Sequence, residues 1–122
     1  MSQTNGNKSF MLLLRGGKSM ADMTPQEAQE CIGKYFKWME QLQQQGVYKS
    51  GEPLQDAGKV LSGPGGRTVT DGPYVEGKEE VGGFFMITAG NLNEAAKIAQ
   101  GCPIFDNQGN VEVREIAVIP QP

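Results

Sequence analysis

The stretch from Lys8 to Arg15, KSFMLLLR, restricts the fold more than any other part of the chain. In an extended conformation Phe10, Leu12 and Leu14 point one way while Met11 and Leu13 point the other. Both faces of the strand are therefore apolar, and such a strand needs cover on both sides. A layer of helices supplies one cover. The 122 residues suffice for one domain with one core. The second cover is then a partner's sheet, so a homodimer is expected.

The helix layer is written next. Thr24-Pro25-Gln26-Glu27 predicts a helix start, with Thr24 as N-cap, Pro25 at the first position and Glu27 closing a capping box. Ala28, Cys31, Ile32, Tyr35, Met39 and Leu42 recur at helical spacing, and Phe36 and Trp38 widen the stripe. Lys34, Lys37, Glu40, Gln41 and Gln44 form the wet face. Gly46 stands where a left-handed residue ends a helix.

Short extended pieces are expected at Val47–Ser50 and Lys59–Leu61, with Gly51-Glu52-Pro53 as a turn between them. Gly63-Pro64-Gly65-Gly66 reads as a tight loop and Arg67–Thr70 as a return strand. Val81–Thr88 reads as a central strand whose Gly82-Gly83 pair marks a bulge or a close approach by ligand or backbone. Asn91-Leu92-Asn93-Glu94 opens a shorter helix with Leu92, Ala95, Ala96 and Ala99 as its stripe. Val111–Ile119 is the last strand, stopped by Pro120 and Pro122. The order predicts an α+β, ferredoxin-like βαββαβ sheet with both helices on one face. Met1–Asn7, polar and without periodicity, are expected as a disordered tail before a single domain over 8–122.

Composition excludes several functions. Net charge is −3, with 11 basic and 14 acidic residues and no basic cluster, so direct nucleic-acid binding is not expected. The apolar run Phe10–Leu14 is too short to cross a membrane, and Arg15 ends it, so no membrane partner and a cytoplasmic home are expected. There is no histidine, which removes imidazole acid/base chemistry, Ser-His triads and His-ligated zinc. Cys31 and Cys102 lack metal-ligand spacing; Cys31 falls on the helix stripe and Cys102 is expected at the surface as a free thiol. Gly17-Lys18-Ser19 lacks the first glycine of a phosphate loop, because Leu12 occupies its place. The Gly63–Gly66 loop has no following helix to aim at a phosphate. No cofactor and no metal are expected.

The segment Asp71-Gly72-Pro73-Tyr74-Val75-Glu76-Gly77-Lys78 joins an acidic turn to the glycine-opened strand. Asp71 has two readings. Its carboxylate fixes the turn by accepting backbone N–H groups, or it stands at a cleft edge as a general base or ligand anchor. Tyr74 is a packing aromatic or a pocket wall. Glu76, Lys78, Glu79 and Glu80 form a charge run of the kind that usually faces solvent. Arg114 alternates with the valines of the last strand and faces either a cleft or water.

Taken together, Met11-Leu12-Leu13-Leu14, Gly51-Glu52-Pro53-Leu54, the Asp71 signature, Gly82-Gly83-Phe84 and Val111-Glu112-Val113-Arg114 resemble the YCII-related (DGPF) family. The resemblance runs from Met11 to Ile119. It implies a dimeric α/β-barrel assembly of ferredoxin-like protomers with a cleft between sheet and helices near the signature. Some relatives pair a histidine with the aspartate in that cleft. Here Asp71 is present without a histidine, and Cys102-Pro103 stands where many relatives have His-Pro. Other relatives lie beside, or are fused to, extracytoplasmic-function sigma factors and are called transcription initiation proteins.

Two functional expectations follow. The first is binding of a small polar or anionic molecule by Asp71, Gly72, Pro73, Tyr74, Lys78, Gly83 and Arg114. Any catalysis is then weak proton transfer, with Asp71 as base and Arg114 or Lys78 stabilising an anion. The second is a non-catalytic regulatory or interaction protein, with a sigma factor or other regulator as partner and the signature as a structural turn.

Overall fold

The computed structural model describes residues 7–72 and 80–121. The tail expected over Met1–Asn7 lies, Asn7 apart, outside them. Among the described residues six strands and two α-helices follow in the order β1 (Lys8–Gly16), α1 (Pro25–Gln44), β2 (Tyr48–Pro53), β3 (Gly58–Ser62), β4 (Thr68–Gly72), β5 (Val81–Ala89), α2 (Leu92–Ala99) and β6 (Gly109–Glu115). Four strands form an antiparallel sheet in the order β2-β5-β1-β6. β1-α1-β2 spans over β5, and β5-α2-β6 spans over β1. This α+β arrangement is ferredoxin-like. β3 and β4 form a separate two-stranded hairpin inserted between β2 and β5, which the expected plan did not distinguish from the main sheet.

The capping box at α1 forms as the sequence predicts. Glu27 N–H donates to Thr24 Oγ1 at 3.1 Å, and Thr24 N–H donates to Glu27 Oε1 at 2.9 Å. Gly46 adopts φ 77° just past the helix end. The buried stripe is narrower than expected. Trp38 and Leu42 are buried, with Tyr35 and Met39 partly so, whereas Ile32 and Phe36 are exposed. The seam runs through 35, 38, 39 and 42, and residues 32 and 36 fall on the flank facing away from the sheet. α2 behaves alike: Ala95 and Ala99 are buried and Ile98 partly so, while Leu92 in its first turn and Ala96 stay exposed.

Phe10, Leu12 and Leu14 of β1 and Phe85, Ile87 and Ala89 of β5 fill the core under both helices. The Phe85 ring is its hub. It meets Trp38 edge-on at 4.9 Å, stacks on Tyr35 at 6.2 Å and touches Tyr48 at 6.3 Å between ring centroids. Gly51 lies opposite Phe85 in β2, and a Cβ there would stand 2.7 Å from the ring. Gly51-Glu52-Pro53 is therefore strand and not turn: the glycine makes room for an aromatic ring, and Pro53 ends an edge strand.

The other face of the sheet presents Met11 and Leu13 of β1 beside Phe84 and Met86 of β5, all half-buried. Arg15 donates from Nε and Nη2 to Glu112 Oε1 at 3.0 and 2.8 Å, and Arg114 pairs with Glu112 Oε2 at 3.3 Å. The last strand is shorter than expected. Glu115 is the last residue in register, opposite Phe10, and one more bond joins Ile116 N–H to Ser9 O at 2.8 Å. Beyond Ile116 no pairing continues among the described residues, and the chain leaves the sheet without regular secondary structure. Val118 and Ile119 are 91% and 77% exposed there.

Two glycine substitutions separate packing from backbone freedom. Gly51→Ala should lower stability by about 1–3 kcal/mol, because Phe85 has to move. Gly33→Ala, on α1 with nothing within 4 Å, should raise it by roughly 0.5–1 kcal/mol. Urea unfolding of both variants measures the contrast, and equal effects would remove Phe85 from its central role.

Candidate functional site

One end of the four-stranded sheet collects several termini. There β1 ends at Gly16 opposite Gly109, where β6 begins, and Arg15 pairs with Val81, where β5 begins. β2 ends there too, with Pro53 opposite Gly83. Gly16 N–H donates to Glu80 O at 3.1 Å, so the segment running out of the Asp71 signature enters the sheet at this end.

On the helix side of the same end a cleft of about 190 Å³ opens between the first turns of α1 and the 3-10 turn Pro103–Asn107. Its charged lining is two ion pairs and Glu30, whose Oε2 accepts from Gln26 Nε2 at 3.4 Å. Lys18 Nζ lies 3.5 Å from Glu27 Oε1, and Lys34 Nζ lies 3.2 Å from Asp106 Oδ2. Glu27 is held below the usual carboxylate range, first by the Thr24 backbone N–H and then by Lys18. Asn107 Nδ2 donates to Cys31 Sγ at 3.6 Å, and the Cys31 thiol is half-buried at the cleft wall. The sequence reading missed this group. Glu27, Cys31 and Lys34 follow one another at helical spacing beside the apolar stripe, which was the available signal, but nothing local announces that Asp106 and Asn107 come to face them.

Cys102, expected at the surface, is buried. Its backbone caps the 3-10 turn that folds back against α1, which carries the thiol under the helix to the Tyr35 hydroxyl. Burial pushes Cys102 up to about 11, against the lowering effect of hydrogen bonds from Ile104 N–H and the Tyr35 hydroxyl. Tyr35 is raised as well, by burial first and then by Cys102. Near pH 7 both groups are neutral, so the Cys-Pro pair supplies neither an acid/base at physiological pH nor a thiolate.

Asp71 stands on β4 in register with Lys59 of β3, and its carboxylate takes Lys59 Nζ at 2.6 Å. Its side chain is 89% exposed, and Asp71 is not among the residues lining the cleft. Gly72 pairs with Gly58 at the base of the hairpin. Gly83 is buried in β5, where a Cβ would meet Glu52 O at 3.1 Å; the close approach is by backbone, beside an irregularity between Leu14 and Arg15. Arg114 is exposed on the face opposite the helices and paired with Glu112. Asp71 on the hairpin, Gly83 inside the sheet and Arg114 on the open face are thus not brought together. Pro73, Tyr74 and Lys78 lie outside the described residues. Among the described residues no group of three His, Cys, Asp or Glu side chains is placed to hold a metal, and no helix is long and apolar enough to cross a membrane.

The chain matches the model of the YCII-related domain over residues 9–120. A similar solved structure is 5-chloro-2-hydroxyhydroquinone dehydrochlorinase from Burkholderia phenoliruptrix in complex with 2,5-dihydroxybenzoquinone. It is 14% identical, with 88% of this chain and 93% of that chain covered and a TM-score of 0.49. No match is found among curated proteins.

Cys102 makes stability depend on pH in a defined window. Between an ordinary thiol value of 9.0 and about 11 the unfolded chain loses this proton while the folded chain keeps it. Stability contributed by the thiol is therefore complete below pH 9 and lost as pH rises to about 11. Thermal midpoints measured from pH 8 to 11 should fall, and Cys102→Val should flatten the fall. An unchanged slope in the variant would mean that the thiol is not protected by the fold.

Proposed function

Because the chain belongs to the YCII-related family, we propose that it binds a small polar or anionic molecule at the sheet end where the cleft opens and the Asp71 signature rejoins the sheet. One observation carries this reading: the cleft holds two ammonium groups, each resting on a carboxylate of the protein itself. An incoming carboxylate or phosphate can take the place of Glu27 on Lys18 or of Asp106 on Lys34. At about 190 Å³ the space is below the ~300 Å³ at which sites for drug-sized ligands begin, so the ligand is small.

Asp71 contributes from the signature, as an anchor for the ligand or, at most, as a weak proton acceptor. Its approach requires release of Lys59, an exposed pair that costs little to open. The interaction-protein reading keeps one observation of its own: the hairpin displays Leu61 and Val69, opposite each other and both exposed, as a contact surface for another protein.

The working unit in this proposal is a homodimer formed through the face of Met11, Leu13, Phe84 and Met86. A two-fold axis perpendicular to the strands, passing at the level of Leu12, sets Leu13 against the partner's Met11 and Phe84 against the partner's Met86. It also sets Glu112 against the partner's Arg114, so that opposite charges meet across the face.

Two measurements test these readings. A thermal-shift screen of small acids and phosphates should give a stabilisation of about 2.7 kcal/mol at a hundredfold excess over Kd, visible as several degrees. The shift should disappear in Lys34→Ala. Its survival there moves the ligand elsewhere, and its dependence on Asp71→Asn decides the part played by the signature. Native mass should show a dimer that Met11→Glu converts to monomer; a monomeric wild type at tens of micromolar would end the face-to-face assembly.

A further inference from the structure

We infer that the extended segment Ile116–Pro120 is an exchanged arm, which crosses to a second copy of the chain and packs at the sheet end that carries the partner's cleft. The inference rests on the face-to-face dimer proposed above and concerns a part of the chain that the face itself does not explain.

The starting observation is an apolar segment that the described fold leaves without a covering element. Val118 and Ile119 are almost wholly exposed, and Ile116 is at the edge of exposure. Burial of apolar side chains favours association, so the exposed pair Val118 and Ile119 favours a covering partner. Beyond the bond from Ile116 to Ser9 the segment makes no ladder pairing among the described residues.

Register decides the direction. Along β6, Val111 and Val113 pack toward the helices, so Glu112 and Arg114 face the open side with Met11 and Leu13. Ile116, joined to Ser9, continues that open-side series. Under the two-fold axis through the level of Leu12, β6 of one copy runs antiparallel above β6 of the other, about 10 Å away. Ile116 then lies over the partner's Asn110, and Val118 over the partner's Gln108. Next to Gln108 is Asn107 in the cleft lining, and Phe105 is exposed on the same 3-10 turn. The arm of one copy thereby lies over the open face of the partner's sheet, at the end whose helix side carries the cleft.

Within one chain the two positions stand at opposite ends of β6. Asn110 and Val118 are eight residues apart along an extended segment, roughly 25 Å. A short bis-maleimide therefore reports only the exchange between copies. In a Cys31→Ser background, with Cys102 buried, chains carrying Val118→Cys and chains carrying Asn110→Cys are mixed and cross-linked. The expected product is a covalent heterodimer that forms from the mixture and from neither chain alone, and that is lost when Met11→Glu is added. Truncation after Glu115 should raise the dimer dissociation constant at least tenfold. A wild type that is dimeric by native mass but gives no cross-link from the mixture, or whose dimer is untouched by truncation, overturns the arm and leaves the face-to-face pairing standing. Efficient linkage of Val118→Cys chains to one another overturns the arm as well, because it places the axis elsewhere. A monomeric wild type overturns the pairing on which both rest.

Discussion

Phe85 lying over Gly51 is the contact on which the rest of the structure depends. β2 is an edge strand of six residues, two of them a glycine and a proline, and by propensity it is a poor strand. The ring of Phe85 takes the space that a side chain at residue 51 would fill, and the same ring receives Trp38 and Tyr35 from α1 and Tyr48 from β2 itself. One aromatic side chain therefore ties the edge of the sheet, its second strand and the long helix into a single packing unit. With α1 fixed in this way, its first turns are held at the height at which Glu27, Cys31 and Lys34 can meet the turn Pro103–Asn107.

The described lysines of the cleft and of the hairpin are held in short ion pairs. Lys18 with Glu27, Lys34 with Asp106, and Lys59 with Asp71 are all exposed, and each contributes little to stability in water. Their value lies in exchange: a surface pair opens at small cost, so a ligand that mimics one member finds the other already positioned. The two sulfur and phenol groups near the cleft behave in the opposite sense. Cys102 and Tyr35 sit where burial opposes ionisation, and their part is packing and hydrogen bonding.

Elements with a local code were legible in the sequence. The capping box of α1, the alternation of β1 and the left-handed Gly46 each follow from a few neighbouring residues, and the structure has them all. Features that depend on a distant partner were not. Gly51-Glu52-Pro53 reads as a turn until Phe85 is seen opposite; Val111–Ile119 reads as a full strand until the ladder with β1 is seen to end at Glu115. Ile32, Phe36 and Leu92 have the right spacing for a core stripe, but each helix presents only a narrow seam to the sheet. Cys102 reads as a loop thiol because nothing nearby shows that its turn closes over α1. The site followed the same rule. The signature around Asp71 was plain, whereas its ion partner Lys59, twelve residues earlier, becomes visible only through the register of the hairpin.

The position of β1 has a consequence for how the chain reaches this structure. β1 is the innermost strand together with β5, and its second neighbour, β6, lies about a hundred residues downstream. During synthesis an apolar strand with two unsatisfied edges leaves the ribosome long before either neighbour exists, and α1 alone can shelter only one of its faces. Pairings of such long sequence separation make folding slow and keep the early intermediate prone to aggregation. The strand that most restricts the final architecture is thus also the one most in need of a chaperone until translation has passed β6.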